Sequence, residues 1–229
     1  MTATILGLVA SLKTITLPKG KAQGKLLEDL VENKIVAEGF IRSDIVLTKA
    51  EKEAFKRHER IDRLNAGEYL SQPMGNNDRP DFIVYDGVLQ RGVEAKSAVG
   101  ETPMFNSGFP SEFTIYVIGT ATQLERQVRV IDGSQIVPKE LKKLLVEATA
   151  DGKARDAFWN AKIEALGPDL NPFGMRVYSR VQGAHAGGKS VTSYFTPRVE
   201  TMEAKLVLDL TDASSYALTM MNDRISLQK

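Results

Sequence analysis

The spacing of apolar residues along the chain predicts several helices. Residues 20–38 and 48–70 both place apolar side chains three or four positions apart, and Thr48 is a suitable cap for the second segment. Residues 138–166 show the same period in two pieces, and a last helix is predicted to begin near Asp212. Helical segments therefore surround the middle of the chain.

Other segments have the composition of β-strands. In "RPDFIVYDGVLQRGVEAKS", residues 79–97, two apolar runs flank Asp86-Gly87, which is a strong hairpin signal. Residues 113–120 are uniformly apolar, as in a strand buried on both faces, and residues 173–210 are rich in Val, Tyr, Phe and Thr. Because helices and strands do not alternate regularly, we expect an α/β (α+β) fold with a central mixed β-sheet flanked by helices.

The length and composition of the chain suit a single domain. It has 229 residues, of which 42% are hydrophobic, enough for a sizeable core. We predict one domain over residues 1–229, with its core at about 20–166 and a strand-rich C-terminal region at about 173–210.

Composition excludes several kinds of site. The chain has no cysteine, which excludes disulfides, thiolate zinc sites and cysteine nucleophiles. No apolar run approaches the roughly 18 residues of a membrane span, and the apolar N-terminal patch lacks a basic leader and a cleavage site, so we expect a cytoplasmic protein without a membrane partner. The net charge of +1 neither indicates nor excludes a polyanionic partner, because phosphate binding depends on local clusters.

The predicted hairpin carries charged residues where a buried strand would hold Val or Ile. They are Asp81, Glu94 and Lys96. Because side chains alternate across a strand, Val93 and Ala95 can face the core while Glu94 and Lys96 share the opposite face. The turn brings the two strands together, so Asp81 can reach Glu94 if a bend or bulge aligns them.

Two neighbouring carboxylates resist joint ionisation, and a divalent cation removes that conflict. Oxygen ligands with retained waters suit Mg²⁺ better than zinc, so we predict a magnesium site formed by Asp81, Glu94 and the backbone carbonyl of Ala95. Lys96 would hold the attacking water and steady the charge on a phosphate. Together these groups predict phosphodiester hydrolysis, and the alternative is an ordinary salt bridge at a strand edge.

The motif formed by "PD" at 80–81, twelve intervening residues and "EAK" at 94–96 resembles that of the PD-(D/E)xK nuclease superfamily. Ser97 follows the motif directly, which makes the motif similar to that of several type II restriction endonucleases. The resemblance is strongest over residues 79–120. It implies a restriction-endonuclease-like fold with the two acids and the lysine on adjacent strands of a mixed sheet. The implied activity is magnesium-dependent cleavage of double-stranded DNA at a specific short sequence, leaving 5′-phosphate and 3′-hydroxyl ends.

The resemblance also implies an additional catalytic glutamate on a helix before the motif. Glu28 is the candidate, with Glu32 and Glu38 as alternatives. Cleavage of both strands of a symmetric site implies a homodimer, and Trp159 is expected in the core or at the dimer contact. A restriction role implies a cognate DNA methyltransferase in the same system. A repair, phage or junction-resolving nuclease of the same fold is the alternative.

A second motif lies at residues 183–190, "GAHAGGKS", which match the phosphate-binding pattern G-x-x-x-x-G-K-[ST]. Such a loop must lead into a helix, whereas the next residues have strand composition and contain Pro197. We therefore predict a loop between two strands that enters a DNA groove, the alternatives being a plain exposed hairpin and a nucleotide-binding protein. The residues predicted to contact DNA are Asn76, Asn77, Arg79, Asn106, Arg180, Gln182, His185, Lys189, Ser190, Thr192 and Arg198.

Overall fold

The computed structural model describes residues 3–18, 24–75, 78–98, 105, 109–120, 128–165, 167, 176–177 and 197–226. Its helices are α1 (Ile5–Leu12), α2 (Gly24–Ala37), α3 (Lys49–Lys56), α4 (Gly133–Ile136), α5 (Lys139–Glu164) and α6 (Pro197–Ser226). Its strands are β1 (Ile41–Arg42), β2 (Glu68–Ser71), β3 (Phe82–Tyr85), β4 (Gln90–Ala98), β5 (Thr114–Thr120) and β6 (Arg129–Asp132). Within these ranges, no helix has the length and apolar character that crossing a membrane requires.

The six strands form one mixed sheet in the order β1-β2-β3-β4-β5-β6. The pairs β1–β2 and β4–β5 are parallel, and the other three pairs are antiparallel. All seven residues of β5 are buried, which confirms the prediction for its uniformly apolar sequence. With helices packed against this sheet, the expected α/β class is confirmed.

The largest apolar cluster lies on one face of the sheet, beneath α1, α2 and α6. Leu27, Val31 and Ile35 of α2 recur at helical spacing and are fully buried there. Burial of each such side chain contributes about 1.5–3 kcal/mol. The predicted amphipathic helix therefore becomes the element that packs beside β4, the strand of the EAK motif.

The turn of the β3–β4 hairpin is held by Asp86. Its carboxylate accepts hydrogen bonds from the backbone N–H groups of Val88 and Leu89, at 2.9 and 2.7 Å. The φ of Gly87 is +97°, a left-handed conformation that suits glycine. The hairpin turn predicted at Asp86-Gly87 is confirmed.

The helix predicted over residues 48–70 is much shorter in the structure. Thr48 caps it as predicted, but α3 ends at Lys56, and His58 adopts a φ of +68°. That left-handed residue redirects the chain, and Glu68–Ser71 become strand β2 instead of a helical end. The apolar positions Ile61 and Leu64 are buried in loop structure, where their spacing resembles that of a helix.

Helix α5 is continuous instead of divided into two pieces, and none of its residues is buried. Trp159 is 50% exposed in the single chain, so the prediction that it lies in the core is wrong. Helical period alone does not reveal whether another element covers the apolar side chains.

The C-terminal part of the strand-rich prediction is also wrong. Residues 197–210 belong to α6, which begins at Pro197 instead of near Asp212. Leu206 and Leu210 lie four residues apart and are buried, which is the pattern of a helix packed on the sheet. Proline is well suited to the first turn of a helix. Residues 176–177 are not in a strand, and the rest of 173–196 lies outside the described residues.

Candidate active site

The β3–β4 register places the two acids of the motif side by side. Phe82 pairs with Val93, so Asp81, just before β3, lies opposite Glu94. The Asp81 N–H donates to Oε2 of Glu94 at 3.0 Å, and the Ala95 N–H donates to Oδ2 of Asp81 at 2.8 Å. The structure thus brings the two predicted carboxylates together by simple antiparallel pairing, without the bend or bulge that we expected to be necessary.

Alternation along β4 separates core residues from site residues. Val93 and Ala95 belong to the large apolar cluster. Glu94 and Lys96 lie on the opposite face, where Tyr116 of β5 is the register partner of Glu94. The charges therefore occupy the face of the hairpin predicted from the sequence.

The site environment favours protonation of both acids. Glu94 is only 2% exposed, and burial, followed by the nearby charge of Asp81, raises its pKa to about 7. Burial also raises the pKa of Asp81, against the opposing effect of the Ala95 N–H hydrogen bond and the Lys96 charge. Burial therefore works against the charged form of both carboxylates, and the charges of Lys96 and Arg79 oppose that effect.

Lys96 and Arg79 supply the cationic side of the site. The Lys96 ammonium lies 2.5 Å from Oε1 of Glu94, and its side chain is 20% exposed. The Arg79 guanidinium lies 3.9 Å from the same oxygen and stacks over the Phe105 ring. Lys96 is thus at the edge of the site, between Glu94 and solvent, whereas Arg79 is almost buried beside it.

Among the three candidate helical glutamates, Glu28 is the one brought near the motif. Its pKa is raised by burial and then by the charge of Asp81, with Lys96 acting in the opposite direction. Glu32 instead accepts a hydrogen bond from the Tyr69 hydroxyl at 3.0 Å. The Glu38 carboxylate lies near the start of α1, against Gly7. The structure therefore leaves Glu28 as the candidate third acid.

Gln72 is a site neighbour that the sequence did not indicate. Its N–H donates to the Asp81 carbonyl at 2.7 Å, and its side-chain amide donates to Oδ1 of Asp81 at 3.4 Å. Gln72 follows β2 with a φ of +49°. Its place depends on the pairing of β2 with β3, and we had predicted β2 as part of a helix. The position of Gln72 could be predicted from the sequence only by first predicting the strand at residues 68–71.

The donor set fits magnesium better than a metal held by many protein ligands. Within the described residues, no group of three or more His, Asp or Glu side chains is placed to hold a metal ion. Magnesium commonly uses one or two carboxylates and keeps several waters, so Asp81 and Glu94 suffice. The Ala95 N–H points to Asp81, and in a strand the carbonyl of the same residue points to the same side, which keeps the predicted third ligand available.

Most of the residues predicted to contact DNA lie outside the described residues: Asn76, Asn77, Asn106, Arg180, Gln182, His185, Lys189, Ser190 and Thr192. Arg198 lies in the first turn of α6 instead of in a strand. Arg79 lies beside Glu94, so it is placed to contact a group bound at or next to the site.

Comparisons of the chain with protein-family models, with curated proteins and with solved structures give no match. A function for this chain is therefore inferred from the arrangement of Asp81, Glu94 and Lys96.

Proposed function

We propose that this protein is a magnesium-dependent endonuclease that hydrolyses phosphodiester bonds in double-stranded DNA. The observation that carries the proposal is the adjacent carboxylates of half-buried Asp81 and buried Glu94, with the Lys96 ammonium in contact with Glu94. Buried acids of raised pKa beside a lysine are more typical of catalytic sites than of structural ion pairs.

Each side chain has a defined part in this chemistry. Asp81 and Glu94 would hold the metal through the lone pairs that their present hydrogen bonds leave open. A magnesium ion bound there lowers the pKa of water and offsets charge on the phosphate. Lys96 donates a hydrogen bond to the attacking water or to a phosphate oxygen, and Ala95 and Gln72 hold the Asp81 carboxylate in place.

The more specific proposal is a type II restriction endonuclease. It is supported by the PD…EAK motif on adjacent strands of a mixed sheet, which is the arrangement that the resemblance implies. A homodimer, cleavage at one short sequence, 5′-phosphate ends and a cognate methyltransferase belong to the same proposal. So does the restriction-endonuclease-like fold, with Glu28 as the additional acid.

A nucleotide-binding function has less support. In such proteins an acid after a buried strand helps to hold magnesium, and Asp209 in the apolar run "KLVLDL" is the residue of this chain that resembles it. Asp209 lies in helix α6 and forms an ion pair with Lys205 at 2.7 Å. The segment 183–190 itself lies outside the described residues.

The test is cleavage of supercoiled plasmid DNA with Mg²⁺, comparing wild type with Glu94→Gln. Glu59→Gln is the matched control, because Glu59 is exposed and its carboxylate pairs with Arg57. We expect cleavage by wild type and by the control, and none by Glu94→Gln or in EDTA. Cleavage by Glu94→Gln at the wild-type rate would overturn the proposed site.

The pattern of products then identifies the kind of nuclease. Discrete fragments from several plasmids that share one sequence support the restriction function. Nicks at mismatches, bulges or junctions, or progressive digestion, would instead support a repair, phage or junction-resolving nuclease of the same fold.

A further inference from the structure

A pocket of about 310 Å³ opens beside the candidate active site. Arg79 and Pro80 line it and directly precede Asp81 in the chain. Tyr116 also lines it and pairs in register with Glu94. The pocket therefore shares walls with the two carboxylates. Its volume lies at the lower end of the range for small-molecule sites, about 300–1,000 Å³.

The pocket walls combine rings with cations. Phe55, Phe109 and Tyr116 contribute aromatic surface. Lys56, Arg79 and Lys142 contribute three cations, and Asp78 is the one acid among the described lining residues. A flat apolar part of a ligand can stack on the rings, and an anionic part would compete for the cations with their present partners Asp78, Glu94 and Glu112. A nucleotide has both, because its base stacks on rings and its phosphate pairs with cations.

His58 is held at the pocket in a strained backbone conformation. Its φ of +68° follows the end of α3, where glycine is the usual residue. Its ring stacks on Phe113 at 5.0 Å with 16° between the planes, and it lines the pocket whereas Phe113 does not. Backbone strain in non-glycine residues concentrates at functional sites, so the imidazole is a candidate stacking surface for a ligand.

We propose that this pocket binds one unpaired nucleotide of the DNA strand, next to the phosphate that would lie at the metal site of Asp81 and Glu94. The inference rests on the proposed nuclease function, which makes DNA the substrate. A space of about 310 Å³ can take a single unstacked nucleotide, but not a base pair that remains stacked in a duplex. The enzyme would therefore prefer DNA in which a nucleotide is already unpaired, or would extrude one on binding.

Helix α5 offers a matched pair of variants that spare the core. Val146 lines the pocket and is 56% exposed, whereas Leu144 does not line it and is 63% exposed. Val146→Trp fills the pocket, and Leu144→Trp adds the same bulk elsewhere on the helix. Binding is measured by fluorescence anisotropy in EDTA, with labelled duplexes that differ only in one bulged nucleotide.

We expect wild type and Leu144→Trp to bind the bulged duplex at least about fivefold more tightly than the paired one, because stacking of one base is worth about 1–3 kcal/mol. Val146→Trp should lose that preference. The proposal is overturned if wild type shows no preference, or if the two variants behave alike. Because no metal or cleavage is involved, these outcomes are independent of the Glu94→Gln cleavage test.

Two further measurements test the role of His58 and the identity of the ligand in the pocket. His58→Gly should keep or raise the melting temperature, since glycine relieves the φ of +68°, while it lowers the preference for bulged DNA. A lower melting temperature with unchanged preference contradicts the role of His58. Free deoxynucleoside 5′-monophosphate is the second probe, and competition at micromolar concentration would assign the pocket to a free nucleotide instead of one within a strand.

Discussion

The charge of Glu94 should govern how stability depends on pH. In the folded protein, burial and then the charge of Asp81 raise the pKa of Glu94 from 4.5 to about 7. Between these two pH values the folded protein holds a proton that the unfolded chain has released. Stability therefore falls as pH rises through this window, and the contribution is fully present only below about pH 4.5. Glu94→Gln removes the titrating group.

The size of the effect follows from the two pKa values. At about 1.4 kcal/mol for each pH unit, the whole difference corresponds to about 3 kcal/mol. The interval from pH 5 to pH 8 covers roughly 2–3 kcal/mol of it, because titration is incomplete at both ends. The Lys96 charge already contributes to this pKa by lowering it, so the change with pH is the quantity to compare.

Urea unfolding at pH 5 and pH 8, without metal, measures this change. Wild type and Glu59→Gln should each lose roughly 2–3 kcal/mol more than Glu94→Gln between the two pH values. Adding Mg²⁺ at pH 8, at ten times its dissociation constant, should restore about 1.4 kcal/mol to wild type and much less to Glu94→Gln. Parallel pH dependence in wild type and Glu94→Gln would refute the argument that Glu94 is forced toward its protonated form.

Three further substitutions test the structure around the site. Gly92→Ala places a Cβ 2.9 Å from the Pro80 ring, so urea unfolding should show a loss of about 1–3 kcal/mol. Plasmid cleavage should also fall, because Asp81 shifts with Pro80. Wild-type values of both stability and cleavage would contradict the close packing. Glu203→Ala removes the acceptor of the buried Val130 N–H, at 2.7 Å, and should cost about 3 kcal/mol, whereas Glu203→Gln should recover part of that loss. Trp159→Ala should change stability by no more than about 0.5 kcal/mol because the ring is half exposed, and a change of oligomer size in gel filtration would instead identify a dimer contact.

The candidate site was predictable because its signals are local. Asp86-Gly87 fixes the turn, and the turn sets which residues of β4 face Asp81. The alternation of Val93 and Ala95 with Glu94 and Lys96 then assigns the two faces. Both the turn and the assignment of the two faces depend only on residues of the hairpin. For this reason the geometry of the motif follows from the sequence without a template.

The incorrect predictions concern elements whose structure depends on distant contacts. The β-branched residues of α6 suggested strands, yet burial of Leu206 and Leu210 on the sheet outweighs that propensity. Gln72 reaches Asp81 only because β2 pairs with β3, and β2 follows a helix that stops early at a left-handed histidine. No local sequence pattern predicts the α6 helix or the β2–β3 pairing, because both depend on tertiary packing.

The two backbone outliers lie beside the candidate active site and the pocket. Among the described residues, His58 and Gln72 are the only residues other than glycine with positive φ. Each such conformation costs about 1–2 kcal/mol, and glycine would avoid the cost at either position. Gln72 contacts the Asp81 carboxylate and His58 lines the adjoining pocket, so both strained positions border the same region. Both positions are therefore placed to affect one substrate that engages the carboxylates and the pocket together.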